Sequence, residues 1–247
     1  MDGARAMFAE AHAALGTVRG LIRSGSINCD TQPDGWLKIA HRPSRLKELE
    51  AEHRLLEDVF AYRTELLDQS ALEAHHFKGA EAFGALRTPD SFAMHPLKLA
   101  YGVLRMAREA GAVVHSGSPV TGWTKDGSRH VLETPGGRIG ANRVVVATNG
   151  YTPTRLHRAL RRHLLPVLSN IVVTRPMTPE EKAACHLVST DVMTDTRNML
   201  YYFRRLPDDR VLLGGRGPIA ERPSALAANR RHLLAVLKTK FPPLKNI

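Results

Sequence analysis

HPLKLAYGVLRMAREAGAVVHSGSPVTGWTKDGSRHVLETPGGRIGANRVVVATNG, residues 95–150, is the stretch that decides the fold class. It opens on a helix: Pro96 suits the first turn, Leu97, Ala100, Tyr101, Leu104 and Ala107 share one face, and Gly111 supplies the stop. Val113-Val114-His115 then predicts a strand. Val120–Thr124 and Val131–Thr134 predict a small hairpin about Lys125-Asp126-Gly127, a turn follows at Pro135-Gly136-Gly137, and Val144–Ala147 predicts a buried strand. Helix, strand, hairpin and buried strand in that order belong to an α/β unit.

The flanks read differently. Upstream, apolar residues from Phe8 to Ile22 recur at three- and four-residue steps, giving an amphipathic helix over Arg5–Ile22. Trp36–Ala40 reads as a strand, Ser44 as the N-cap of a second helix through Leu56, Leu66-Leu67 as a brief strand, and Ser70 with Glu73 as a capping box. Phe83–Asp90 reads as strand and loop. Downstream come a long strand over Leu165–Thr174, a hairpin in which Leu200–Arg205 turns at Pro207-Asp208-Asp209 into Val211–Gly215, and a last helix over Ala225–Lys240. Alternation between α/β-like and antiparallel-sheet-like segments predicts α/β plus α+β, as two interleaved domains give.

Composition excludes several classes. With 43% hydrophobic and 24% charged residues in 247, the chain is neither low-complexity nor collagen-like, and Cys29 and Cys185, far apart and without CxxC, give no disulfide framework. No apolar run reaches the ~20 residues that span a bilayer, and no secretory leader is evident near Met1, so the expectation is a soluble, cytoplasmic protein with no membrane partner. The net charge of +11 is uneven: no acidic residue lies between Glu133 and Glu180, where Arg138, Arg143, Arg155, Arg158, Arg161, Arg162 and Arg175 fall. Such a stretch could meet nucleic-acid phosphates, a phosphorylated cofactor or an acidic part of a larger chain, or simply be a solvated basic face. Arg155–His163 lacks interleaved aromatics and matches no nucleic-acid-binding motif, so no nucleic-acid partner is expected.

Chemistry-bearing pairs are sparse. His75-His76 and Cys185-His186 are neighbours whose side chains point apart, Asp191 and Asp195 do not lie on a recognisable helix, and no metal site or catalytic group is predicted. The strand Val144–Ala147 stops abruptly at Thr148-Asn149-Gly150. Ligands of open α/β sheets bind beyond such strand ends, although a plain strand-ending turn accounts for the same residues.

Four segments in order carry a resemblance: residues 95–123, VVVATNGYT (144–152), LLPVLSNIVVTRPM (164–177) and YYFRRLPDDRVLLGGR (201–216). Together with INCDTQPDGWLKIAH (27–41), they resemble the FAD-dependent amine and amino-acid oxidoreductases of the D-amino-acid oxidase superfamily, with γ-glutamylputrescine oxidoreductase-like members and glycine and sarcosine oxidases as relatives. The resemblance implies a partial Rossmann-like FAD-binding domain (residues 1–25 and 94–163) interleaved with an antiparallel-sheet substrate domain (26–93 and 164–247). It implies FAD as cofactor, oxidation of a C–N bond of an amine or amino acid by hydride transfer to flavin, Val120 at the adenine end of FAD, and Ala147, Thr148, Asn149 and Gly150 where the chain passes the cofactor. Tyr201, Tyr202 and Arg204 fall on the strand that faces the flavin. Strand parity puts Tyr202 and Arg204 on one sheet face and Tyr201 and Phe203 on the other; the resemblance, in which the flavin-facing position favours a tyrosine, implies Tyr202 and Arg204 as substrate-binding, with Arg204 suited to a carboxylate, while plain sheet aromatics account for the tyrosines equally by sequence.

One departure stands out. The family's GxGxxG, at which a helix N-terminus takes the FAD pyrophosphate, is absent; Gly214-Gly215-Arg216-Gly217 has another spacing and follows a hairpin strand. The chain therefore reads as the central part of a longer flavoprotein, without the phosphate-binding start or the flavin-covering end, expected to bind FAD weakly or not at all alone and to self-associate through exposed apolar faces. Two alternatives remain at this level: a non-catalytic remnant or interaction module on the same scaffold, and a basic nucleic-acid-binding protein.

Overall fold

A computed structural model describes residues 2–33, 35–153, 155–165, 167–218 and 222–247. The chain divides into two compact units: the larger takes residues 1–106 and 169–247, the smaller 107–168.

In chain order the elements are α1 (Asp2–Ser24), β1 (Trp36–Ile39), α2 (Leu46–Phe60), β2 (Glu65–Asp68), α3 (Gln69–His75), β3 (Gly84–Thr88) and α4 (Pro96–Glu109). Then follow β4 (Gly122–Asp126), β5 (Arg129–Thr134), β6 (Gly137–Ala141), β7 (Ser169–Pro176), α5 (Pro179–Cys185), β8 (Val192–Asp195), β9 (Tyr202–Arg205), β10 (Arg210–Arg216) and α6 (Pro223–Lys240).

The larger unit is built on one seven-stranded sheet in the order β2-β3-β1-β8-β9-β10-β7. All of its pairings are antiparallel except β1 with β8, which joins the two halves of the chain side by side. Burial alternates along the central strands: Leu37 and Ile39 of β1, Met193 of β8 and Phe203 of β9 are buried, while Trp36, Lys38, Thr194, Tyr202 and Arg204 are half-buried on the opposite face. The buried face packs under α6 through Leu233 and Leu237, with Phe77, Phe203 and Phe241 meeting at ring separations of 5.6–5.8 Å. Asp195 ends β8 on the same buried side. There it accepts from Lys240 Nζ at 2.7 Å, pairs with Arg197 and takes the Tyr201 amide at 3.1 Å, while Glu81 completes a four-residue ion network.

On the half-buried face α2 covers one end, where Leu49 joins Ala40 and Leu86 in a second small core. α1 lies nearby, its Phe8 ring 4.7 Å from Phe60, and Arg19 donates to the Asp90 carbonyl. Residues 94–106 also belong to this unit: the His95 amide donates to the Cys29 carbonyl at 2.7 Å, and Gly102 leaves room for Ile27, whose Cγ2 would lie 2.4 Å from a Cβ there. Leu97 and Tyr101 of α4 remain 56% and 64% exposed.

The smaller unit is the meander β4-β5-β6 with the segments around it. Trp123 anchors it, donating from Nε1 to His130 Nδ1 at 3.0 Å, its ring 4.4 Å from that of His157.

Several local expectations change. Val113–His115 and Val144–Ala147 join no ladder among the described residues, because a strand exists only through hydrogen bonds to a neighbour; Val145 stands 90% exposed. Strand β6, absent from the sequence reading, arises because the tight turn after Thr134 puts Gly137–Ala141 in register with β5 despite two glycines. The short α3 is capped by Asp68, which accepts from the Ala71 amide at 2.8 Å, in place of Ser70. A 3₁₀ turn over Pro43–Arg45 leads into α2 where an N-cap at Ser44 was expected. The expected strand over Leu165–Thr174 begins only at Ser169. The short helix α5 has a full capping box between Thr178 and Glu181, a signal the sequence reading passed over.

Candidate functional site

The half-buried face of the large sheet presents a row of paired residues, Lys38, Thr194, Tyr202, Gly214 and Ile171, across five strands. Tyr202 dominates the row because two neighbours make room for it. A Cβ at Gly214 would lie 2.3 Å from its ring, and Ser169 on β7 holds its hydroxyl at 2.7 Å. The phenol thus lies across β10, fixed at both ends. On the other side of Thr194, Trp36 donates from its indole to the Thr194 hydroxyl at 3.0 Å, and Lys38 pairs with Glu52 of α2 at 2.6 Å.

Arg204 is two residues from Tyr202 on the same face. Its guanidinium reaches the Met94 carbonyl at 3.3 Å, and burial lowers its pKa. It lines a cleft of about 450 Å³ with Asp30, Gln32, His95, Asp208 and Arg210. Tyr201 belongs to the other side: it packs against the buried core, a Cβ at Gly215 would lie 2.8 Å from its ring, and its hydroxyl meets His232 Nε2 of α6 at 2.8 Å. Burial, then the carboxylates Asp195 and Glu81, raise the Tyr201 pKa against the opposing effect of Arg197.

In the smaller unit, Val120 and Thr148 line one pocket of about 350 Å³ with Trp123, Leu132 and Val144–Val146. Of the other residues singled out from the sequence, Ala147, Asn149 and Gly150 are exposed outside that lining, with Asn149 and Gly150 in a 3₁₀ turn and Asn149 at φ +47°. The lining is mostly apolar and suits a planar ring system. Val120, Thr148 and the valines would hold the aromatic part of FAD, whereas no glycine-rich strand-to-helix turn for a pyrophosphate occurs in the sequence.

The remaining pairs are structural. Asp191 lies 3.0 Å from His76 Nδ1 and accepts from Arg87 Nε at 3.4 Å, and no cluster of metal-ligating side chains occurs among the described residues. Trp36, Lys38 and Thr194 were missed as site-facing residues, although the alternation Trp36-Leu37-Lys38-Ile39 already carries that information. No helix among the described residues is long and apolar enough to cross a membrane.

The fold superposes on glycine oxidase from Geobacillus kaustophilus with a TM-score of 0.73, at 20% identity, over 98% of this chain and 61% of that one. The chain belongs to the FAD dependent oxidoreductase family, whose model matches residues 2–247. It is 28% identical to γ-glutamylputrescine oxidoreductase of Escherichia coli K12, over 100% of this chain and 57% of the relative. Against the probable oxidoreductase OrdL of Rhizobium meliloti the identity is 26%, over 100% of this chain and 56% of the relative. The chain thus spans little more than half the length of the curated relatives it matches.

Proposed function

We propose that the protein to which this chain belongs oxidises the C–N bond of an amine or amino acid with FAD as cofactor. The observation that carries the reading is the polar sheet face, on which Tyr202, pinned between Gly214 and Ser169, and the half-buried Arg204 stand side by side within a chain of FAD-dependent family. The relative named for γ-glutamylputrescine supports an amine substrate. When bound, FAD supplies the acceptor for the hydride of the substrate carbon, which carries the two electrons of the oxidation.

This chain's residues do the binding and orienting. Tyr202 offers a fixed phenol against the substrate, Arg204 a cation, and the Trp36 indole closes the row beyond Thr194. Val120, Ala147, Thr148, Asn149 and Gly150 serve the cofactor side, so that residues 1–25 and 94–163 belong functionally to the flavin and 26–93 and 164–247 to the substrate. The same reading makes the protein cytoplasmic, without a nucleic-acid partner, and makes this chain alone prone to self-association through the exposed Leu97, Tyr101 and Val145.

The test is anaerobic reduction of the flavin in the full-length protein by a panel of primary amines, secondary amines and amino acids. Bleaching by at least one class is expected, and Tyr202→Phe should slow it. A flavin-loaded protein that none of them reduces would defeat the proposal.

A further inference from the structure

Outside the row that contains Tyr202, the larger unit holds another cavity, of about 220 Å³, between α1, α2 and the sheet. It lies beside β1 and β3, where Trp36 and Thr88 are paired across the two strands, and the rings of Phe8, His12, Trp36 and Tyr62 line it. Phe8 fixes the α1 wall, its ring 4.7 Å from Phe60 and 4.6 Å from His12. The indole N–H of Trp36 is already taken by Thr194 at 3.0 Å, which leaves the cavity only its hydrocarbon ring.

Two charged groups in this lining cancel, since Lys38 and Glu52 pair at 2.6 Å. Asp90 is different. One of its oxygens accepts from the Tyr62 phenol and the other lies 3.2 Å from His12 Nδ1, so both partners can hold it without carrying charge. Burial, then the hydrogen bond and charge of Asp90, raise the Tyr62 pKa, which keeps the phenol a neutral donor. A half-buried carboxylate therefore faces aromatic walls with its negative charge intact, and each oxygen keeps a lone pair for a further donor. Thr88 adds an acceptor: the residue is 7% exposed, lines the same cavity, and its hydroxyl is buried without a hydrogen-bond partner among the described residues. A buried polar atom left alone beside an unneutralised carboxylate is costly unless a ligand with N–H donors and positive charge completes the site.

We infer that this cavity binds a small alkylammonium ion, at a site separate from the row of Tyr202 and Arg204. The aromatic walls receive its alkyl groups and its diffuse charge, while Asp90 and Thr88 Oγ1 accept its N–H groups. An anion is repelled by Asp90, and a neutral molecule leaves that charge unmatched. The volume suits a cation of a few heavy atoms. The inference stands on charge and hydrogen bonding and does not rest on the oxidoreductase reading.

Calorimetric titration of the full-length protein with tert-butylammonium chloride reads the site without turnover, because the carbon that bears the nitrogen has no hydrogen to lose. Binding is expected in the wild type, about tenfold or more tighter than that of tert-butanol, the neutral molecule of the same shape, and Asp90→Asn should abolish the preference. Thr88→Val gives a readout that a purely structural role would not produce. It removes an unpartnered hydroxyl with little change of shape, so the urea midpoint should hold or rise while affinity for the cation falls severalfold. Tyr202→Phe should bind the cation as the wild type does. Equal affinity in wild type and Asp90→Asn, no preference over tert-butanol, or unchanged affinity in Thr88→Val overturns the site. Binding lost in Tyr202→Phe but kept in Asp90→Asn places the cation in the Tyr202 row and overturns it equally.

Discussion

Replacing Lys240 by methionine tests whether the ion network under the sheet anchors the C-terminal helix. Lys240 and Asp195 are 3% and 1% exposed, and Nζ lies 2.7 Å from one Asp195 oxygen and 3.3 Å from Glu81. At an effective dielectric of about 20, unit charges at that shorter separation attract by about 6 kcal/mol, most of which offsets the desolvation of the two ions. The truncation cost is set instead by what stays behind. Methionine matches the aliphatic stem of lysine, but the ammonium 5.2 Å above the Phe203 ring is lost and Asp195 remains buried with one cation fewer, and such deletions cost about 3–5 kcal/mol. Arg197 and the Tyr201 amide still hold Asp195, so the loss should fall near the lower end, about 3 kcal/mol. Urea unfolding in a Trp123→Phe background reports it, because Trp36 then remains as the fluorophore and sits on the same sheet. Adding Asp195→Asn to Lys240→Met removes the stranded charge and should recover more than about 1 kcal/mol relative to the sum of the single changes. A loss below about 1 kcal/mol for Lys240→Met, or strict additivity in the double variant, would refute the argument.

Four further outcomes are expected. Gly214→Ala puts a Cβ 2.3 Å from the Tyr202 ring, so it should cost about 1–3 kcal/mol and swing the phenol off Ser169, seen as slower flavin reduction in the full-length protein. Burial opposes ionisation of Asp195 and Asp191, but Lys240, Arg197 and the Tyr201 amide for the first, and His76, Ser189 and Arg87 for the second, hold both pKa values below 3.8. Their contribution is therefore complete above about pH 4 and lost as pH falls through the depressed values, so urea midpoints should drop only on that acid limb and Asp195→Asn should flatten it. Arg204→Ala should raise KM for carboxylate-bearing amines by about tenfold relative to their amides. The 247-residue chain alone should bind FAD weakly or not at all in equilibrium dialysis, since its ring pocket comes without a pyrophosphate-binding turn.

The parts of the fold legible in the sequence are those whose signal is local. The helices over residues 2–24, 96–109 and 223–240 announce themselves by period and by proline at the start of the last two, and the hairpin at Pro207-Asp208-Asp209 by its turn. Adjacency of strands is not local. Nothing in Trp36–Ile39 says that its parallel partner is Val192–Asp195, more than 150 residues away, and β8 itself went unread because Asp195 at its end looks like a loop residue until Lys240 and Arg197 surround it. The opposite error occurred at Val144–Ala147, where composition alone suggests a buried strand but the segment joins no ladder among the described residues. For the site, parity sufficed to separate Tyr202 from Tyr201. Parity could not show that Asp208 and Asp30 are already paired with Arg210 and Lys98, so that neither carboxylate pairs with Arg204.

The two dipeptides Tyr201-Tyr202 and Gly214-Gly215 explain each other. On adjacent antiparallel strands with Tyr202 opposite Gly214, each glycine clears the space one tyrosine ring needs, on opposite faces of the same sheet. One ring is thereby drawn into the core beside α6 and its hydroxyl tied to His232, so it stiffens the sheet from below. The other is held across β10 on the open face, where Ser169 holds its hydroxyl at 2.7 Å, so it is fixed yet available. A side chain that must orient a substrate carbon against a cofactor needs both properties, because positional error of about an ångström is enough to lose much of the rate. The rigidity of Tyr202 thus comes from the sheet beneath it and does not require a ligand to impose it. Glycines that looked like a misplaced phosphate loop act instead as the seats of Tyr202 and Tyr201.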